Sequence, residues 1–257
     1  MAKWTAFPHL GEYTFDAKSV KKHWARLHTG DAEPLPADTA VLEAWALFHN
    51  GEFQKAAEAG LKAGGAGLSV ANKATCIYAN YLEKKEKTKL DLFMEAAQRA
   101  EAAAAADPKN ASAWYWQAYA LGRYSQGISV AKALAQGLGS KVKDALEKAI
   151  KLEPRHADAH IALGAFHAEV IDKVGSLIGG MTYGAKKDTG LKLFQEAIKI
   201  HPGSAIAMIE YANGLVMLEG DKRMKEATKL YEQAAATKPF DAMERLDVEL
   251  AKVELQD

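Results

Sequence analysis

The chain has 257 residues, 49% hydrophobic and 26% charged, with 33 basic and 33 acidic side chains that cancel to zero net charge. That length and composition fit one large soluble domain or an extended repeat array, and the balanced charge argues against nucleic acid as a partner, because phosphate binding needs a net basic face. One cysteine, Cys76, rules out an intramolecular disulfide and any cysteine-based metal cluster.

The N-terminal stretch MAKWTAFPHLGEYTFDAK lacks the continuous apolar core of a secretion signal. No run approaches the roughly 18 apolar residues of a membrane span, so a soluble, cytoplasmic chain without a transmembrane segment is expected. The segment Asp16–His28 places Val20, Trp24 and Leu27 on one helical face and reads as a capping helix. After it, NGEFQKAA at 50–57 has the form of a turn into a helix. The lysines of KKEKTK at 84–89 lie on a helix surface beside acids, a solvated face.

From residue 97 onward the sequence repeats itself. AQRAEAAAAADPKNASAW, DALEKAIKLEPRHADAH, GLKLFQEAIKIHPGSAIAM and ATKLYEQAAATKPFDAM each run from an amphipathic helix through a proline into a new helix. The prolines, Pro108, Pro154, Pro202 and Pro239, are 46, 48 and 37 residues apart. Proline lacks the N–H a helix needs and restricts the residue before it, so each one stops a helix where the chain reverses. The following helices open at Asn110, Ala157 and Ser204. The last segment, FDAMERLDVELAKVELQD, sets Met243, Leu246, Leu250 and Val253 on one face with acids opposite, as a terminal capping helix does.

This punctuation resembles the tetratricopeptide repeat, a helix–turn–helix unit of roughly 34 residues. Aligned on the prolines, Trp114, Ala118, Leu121, Ala149 and Pro154 occupy the family's large, small and closing places in one unit. His160, Gly164, His167, Gly190, Ala197 and Pro202 do so in the next, and Met208, Ala212, Leu215, Ala227, Ala234 and Pro239 in the last. The small residues let paired helices approach closely. The resemblance covers about four-fifths of the chain, weakly before Val70 and clearly from Asp107 to Pro239. It implies an all-α, right-handed superhelical solenoid of helix–turn–helix repeats. The expected domains are an N-terminal capping helix and linker over 1–36, repeats over 37–239, and a capping helix over 240–257.

Two units depart from the pattern. The family places its first large residue and its proline about 28 residues apart, whereas Trp114 to Pro154 spans 40 and His160 to Pro202 spans 42. The surplus falls near 124–141 and 172–190, between the paired helices. Both insertions carry apolar residues at helical spacing: Ile128, Ala131, Leu134 and Leu138, then Val174, Leu177, Ile178 and Met181. They are expected to form short or lengthened helices that pack on one another and bury these residues, in preference to a membrane-surface role for the nearby lysines. Inserted segments of this kind are similar to two groups, the T-component associated with TRAP-type transporters and the regulators of microtubule dynamics.

No catalytic constellation emerges. In GSLIGGMTYGAKKDT, Gly179 and Gly184 have the first spacing of a phosphate loop, but Ala185 stands where lysine belongs and the preceding segment is helical. His156, His160 and His167 share a helix without an H-E-x-x-H, so packing with polar partners is expected rather than metal binding. No G-x-S-x-G elbow is present, and Cys76 lies in an apolar helix as a core residue. Neither enzyme activity, nor a cofactor, nor a metal is expected.

In the tetratricopeptide family the concave wall comes from the first helix of each pair. The resemblance assigns to it Ser112, Tyr115, Tyr119, Gly122 and Arg123; Asp158, Ile161, Ala165, Ala168 and Glu169; and Ile206, Ile209, Asn213, Val216 and Met217. The wall is mainly apolar and aromatic, without the basic clamp that grips a terminal carboxylate in some members. The expected function is binding of a peptide or protein partner on this face. The alternative is a small-ligand carrier whose pocket the insertions enclose. The candidate site residues are Tyr115, Tyr119, Arg123, His160, His167, Met181 and Asn213.

Overall fold

The computed structural model describes residues 3–256, and among them every regular element is helical. In chain order these are α1 (Ala17–Leu27), α2 (Thr39–His49), α3 (Phe53–Ala63), α4 (Gly67–Tyr81), α5 (Glu86–Ala106), α6 (Ala111–Gln126), α7 (Val130–Ala135) and α8 (Leu138–Leu152). They continue with α9 (Ala157–Val174), α10 (Ser176–Tyr183), α11 (Lys187–Ile200), α12 (Ala205–Glu219), a 3-10 turn (Gly220–Arg223), α13 (Met224–Ala235) and α14 (Ala242–Glu254). The all-α helical repeat fold expected from the proline punctuation is what the chain adopts.

The residues divide into two compact units. One comprises Met1–His28, Glu33–Leu152 and Asp241–Met243; the other comprises Thr29–Ala32, Glu153–Phe240 and Glu244–Asp257. In the first unit α2 pairs with α3, α4 with α5 and α6 with α8, and each first helix also packs on the first helix of the next pair. In the second, α9 pairs with α11, α12 pairs with α13, and α9 packs on α12.

Capping shows why helices start where they do. The side chains of Asn110, His156 and Ser204 accept the backbone N–H of Ala113, Ala159 and Ala207 at 3.0, 3.2 and 3.2 Å. Each satisfies a donor that a helix start leaves without an intrahelical partner. All three stand two residues after a repeat proline, so the second repeat opens on His156 rather than on Ala157.

Small residues at the repeat positions set the helix spacing. Ala118, Ala149, Ala197, Ala212, Ala227 and Ala234 are at most 1% exposed. In the second unit the ring of Phe194, fully buried, fills the space beside Gly164 and Gly214 and stacks on Tyr211 with centroids 5.6 Å apart. A Cβ on Gly214 would lie 2.4 Å from Phe194 Cε2. The N-terminal segment joins the first unit: Phe7 is 2% exposed, and Trp4 stacks on Tyr78 at 4.2 Å. Helix α1 buries Val20 and Trp24.

Two expectations need correction. The insertions do form helices, α7 and α10, and also lengthen α6 and α9, but most of their apolar side chains are not buried. Leu134 is 49% exposed, Leu177 76%, Ile178 57% and Met181 81%, while Leu138 alone among the large ones is in the core at 4%. The reason is local: α10 turns Gly179 inward against Val170 and Ala185, between bends at Gly175 (φ +80) and Gly184 (φ +65). Its bulkier residues then point to solvent. In α14 the buried stripe is Leu246, Val248 and Ala251, of which Val248 and Ala251 pack with Ala205, Ile209 and Ala234, whereas Val253 is 55% exposed.

Candidate partner-binding face

The first helices divide along their length. In α6, Ser112 and Tyr115 of the first two turns are buried, at 6% and 4% exposure, whereas Tyr119, Gly122 and Arg123 are half-buried. Tyr115 and Tyr119 are neighbours, with ring centroids 6.0 Å apart, and the Arg123 guanidinium carbon lies 5.4 Å from the Tyr119 ring centre. That separation suits a cation–π contact, which holds the guanidinium beside the ring. Arg123 also donates to Gln126 Oε1 at 3.2 Å. Tyr115 is therefore covered, and Tyr119 and Arg123 are the accessible pair of this stretch.

In the second unit the same division holds. Ile161 of α9 and Ile209 of α12 belong to the core at 6% and 1%. One to two turns further on, Ala165, Glu169 and Asn213 are half-buried, and Val216 and Met217 are exposed at 37% and 38%. Asn213 Oδ1 accepts the Tyr231 hydroxyl of α13, so its amide is fixed by its own repeat. Glu169 accepts Lys173 Nζ at 3.4 Å.

The histidines serve the scaffold. His160 is 8% exposed and donates Nε2–H to the Pro154 carbonyl at 2.9 Å, closing the turn that precedes its helix. His167, 3% exposed, accepts the backbone N–H of Lys186 at Nδ1, 3.1 Å away, and so pins the end of the insertion to α9. Both side chains are buried. Met181 does the opposite, with 81% of it exposed to solvent.

Sequence inspection missed Glu33. Its Oε2 accepts the hydroxyls of Ser69 in α4 and Ser112 in α6 at 2.7 and 2.6 Å, and its carbonyl accepts Trp24 Nε1 at 2.8 Å. Nothing in a linker glutamate flanked by Ala32 and Pro34 signals this, because its partners are 36 and 79 residues away. Arg99 of α5 was missed too; it ties α4 to α5 by donating to Asn72 Oδ1 at 2.6 Å and Thr75 Oγ1 at 3.2 Å.

Helical hairpins closed by proline, capped two residues later and packed through alanine and glycine define a tetratricopeptide-like repeat protein. A solved thermophilic tetratricopeptide-repeat protein of Thermus thermophilus is similar, with a TM-score of 0.59 and 15% identity over 83% of this chain and 97% of that one. YrrB, described as a tetratricopeptide-repeat protein with an unusual peptide-binding site, aligns at a TM-score of 0.38 and 16% identity, over 90% of this chain and 99% of its own. No curated protein sequence matches the chain. Residues 68–256 match the family model of regulator of microtubule dynamics protein 1-3, and the chain belongs to that family.

Proposed function

We propose that the chain is a non-enzymatic binding scaffold that engages a peptide or protein partner on the face of its first helices, the face that corresponds to the concave side of tetratricopeptide repeats. The observation that supports this most directly is the strip on α12 where Val216 and Met217 stay 37% and 38% exposed beside Asn213, while Ile209 on the same helix is fully packed. Exposed apolar residues rimmed by polar ones characterise protein interaction sites. Tyr119 and Arg123 of α6 supply the residue types that dominate binding energy at such sites.

The family name points to the first partner to try, the microtubule. Co-sedimentation with microtubules and capture from a peptide array would be compared for the unmodified chain and two variants. These are Val216→Ser with Met217→Ser, and Tyr119→Ala with Arg123→Ala. At least one variant should lose capture by about tenfold or more, the effect of removing roughly 1.4 kcal/mol of contact. Capture unchanged in both would place the partner elsewhere.

A further inference from the structure

We propose that α10 is a docking element for an anionic lipid bilayer, lying in the headgroup region with Leu177, Ile178 and Met181 dipped into the acyl boundary and lysines at its margins facing the headgroups. In the other insertion, α7 carries the same pattern on a smaller scale. These residues are separate from the partner-binding strip on α6 and α12.

The packing of α10 is inverted. A surface helix of a globular protein turns its large apolar residues to the core and its polar ones to water. Instead α10 rests on α9 through a glycine: Gly179 is buried, and a Cβ there would lie 2.9 Å from Val170 Cγ1. Leu177 and Met181, one turn apart, are 76% and 81% exposed, with Ile178 beside them at 57%. Positive φ at Gly175 and Gly184 breaks the chain on either side, so α10 is a separate short helix rather than an extension of α9. Close packing thus commits the glycine side to the protein and leaves the large apolar residues in water. Side chains this far out stand proud of the surface, a form suited to entering a soft apolar phase. Tyr183, at the end of α10, is half-buried with its ring 6.2 Å from that of Phe166, an aromatic of the kind that settles at headgroup level. At eight residues, α10 is far too short to span a bilayer and would lie on it.

The charges select the kind of bilayer. The whole chain balances 33 bases against 33 acids, yet residues 173–187 contain Lys173, Lys186 and Lys187 and no acid. Residues 124–143 contain Lys132, Lys141 and Lys143 and again no acid. Lys132, Lys141 and Lys186 are exposed. Lys173 and Lys187 reach acids outside their segment, Glu169 at 3.4 Å and Glu219 at 2.8 Å, and Lys143 reaches Glu147 at 2.7 Å. Such surface pairs are weak and screened, so anionic headgroups can compete for these lysines. Helix α7 buries none of its residues, and its Val130 and Leu134, one turn apart, are 50% and 49% exposed. Exposed apolar residues with lysine-only flanks are the composition of helices that lie in an anionic interface. A protein partner would need only the apolar side; the acid-free lysine flanks, present in both insertions, match an anionic surface.

The test uses the full chain with vesicles of phosphatidylcholine containing about 30% phosphatidylserine, and with vesicles of phosphatidylcholine alone. Partition onto the anionic vesicles should be about tenfold or more stronger than onto the neutral ones, and should fall as salt is raised. Leu177→Ser with Ile178→Ser and Met181→Ser should weaken it about tenfold or more, with the helical circular dichroism of the unmodified chain retained. Lys186→Gln should cost roughly fivefold, the weight of one lysine near such a surface. Met181→Cys, labelled with an environment-sensitive dye while Cys76 stays buried, should brighten and shift to the blue on anionic vesicles. No partition onto those vesicles, partition that the triple variant leaves unchanged, or a dye at position 181 that stays in water on the bound chain would each overturn the proposal. So would a dimer of the free chain that the triple variant dissociates, which would assign the face to a second copy. The variants at Tyr119, Arg123, Val216 and Met217 leave α10 intact, so loss of peptide capture and loss of vesicle binding are read separately.

Discussion

His49 Nδ1 lies 2.6 Å from Asp241 Oδ2, with 0% and 6% of the two side chains exposed, although the two residues are 192 positions apart in the chain. The carboxylate can only accept, so the imidazole donates from Nδ1. Asp241 stands two residues after Pro239, the slot that Asn110, His156 and Ser204 use to cap helices. Here the slot reaches α2 and fastens the start of the last helix to the first hairpin. Around His49 lie the rings of Phe15, His28, Trp45 and Phe48, at 5.8, 5.3, 5.8 and 5.2 Å. So buried a setting makes either partner costly to leave alone.

Removing one partner should therefore cost more than removing both. Asp241→Ala and His49→Phe are each expected to destabilise the chain by about 1–3 kcal/mol, the range for leaving a buried hydrogen-bonding partner unsatisfied. The double variant should recover part of the loss, because no buried polar group is then stranded. Urea unfolding followed by tryptophan fluorescence checks this; strictly additive losses would show that the two side chains are not coupled.

Phe194 gives a second test, of helix spacing. Gly214→Ala would bring a methyl 2.4 Å from the ring, against an immovable neighbour since Phe194 is also pressed on Gly164. Overpacking of this kind costs about 1–3 kcal/mol. Phe194→Ala should cost about 3–5 kcal/mol by leaving a cavity. Gly214→Ala placed on a Phe194→Leu background should cost less than on the natural one. Thermal melts of the four variants separate these cases.

The same residues show what the sequence could and could not reveal. Proline, cap and alanine recur at fixed intervals because each is dictated by a local requirement: helix arrest, an unpaired N–H, a close helix approach. The repeat fold was therefore legible. The fate of the insertions was not, because Leu177, Ile178 and Met181 have a helical pattern whether that face meets protein or water. Which side turns inward was settled by Gly179, a residue that looks like a flexible break and acts as a contact. Among the candidate site residues, Tyr119 and Arg123 are accessible while Tyr115, His160 and His167 are buried. Helical period places residues on a face but does not say how far along the helix its cover extends.

The exposure of α10 has a direct consequence. Replacing Leu177, Ile178 and Met181 together by serine should change stability by less than about 0.5 kcal/mol per site, as surface substitutions do. Leu138→Ser, at the one large apolar insertion residue in the core, should cost several times more, since it strands a hydroxyl where a leucine packs. Denaturant midpoints compare the two directly, and a large loss from the triple variant would mean that this face is covered in solution.

Cys76 offers a probe of the first unit. It is fully buried in α4, and burial pushes its thiol up to about 12, an effect that the charges of Arg99 and Arg123 oppose without cancelling. At pH 8 only about one thiol in 10,000 would be ionised, and the thiolate is the reactive form. A disulfide reagent should therefore label the folded chain slowly and the urea-unfolded chain at once. The sign of the linked stability follows from the direction of the shift. The folded thiol keeps its proton to higher pH than the unfolded one, whose pKa is about 8.5. Its contribution is fully present below about pH 8.5 and declines as the pH rises towards 12. The urea midpoint should fall over that window, and Cys76→Ala should remove this part of the fall while leaving the remainder. Rapid labelling of the folded chain at pH 8 would mean that α4 opens far more readily than its packing indicates.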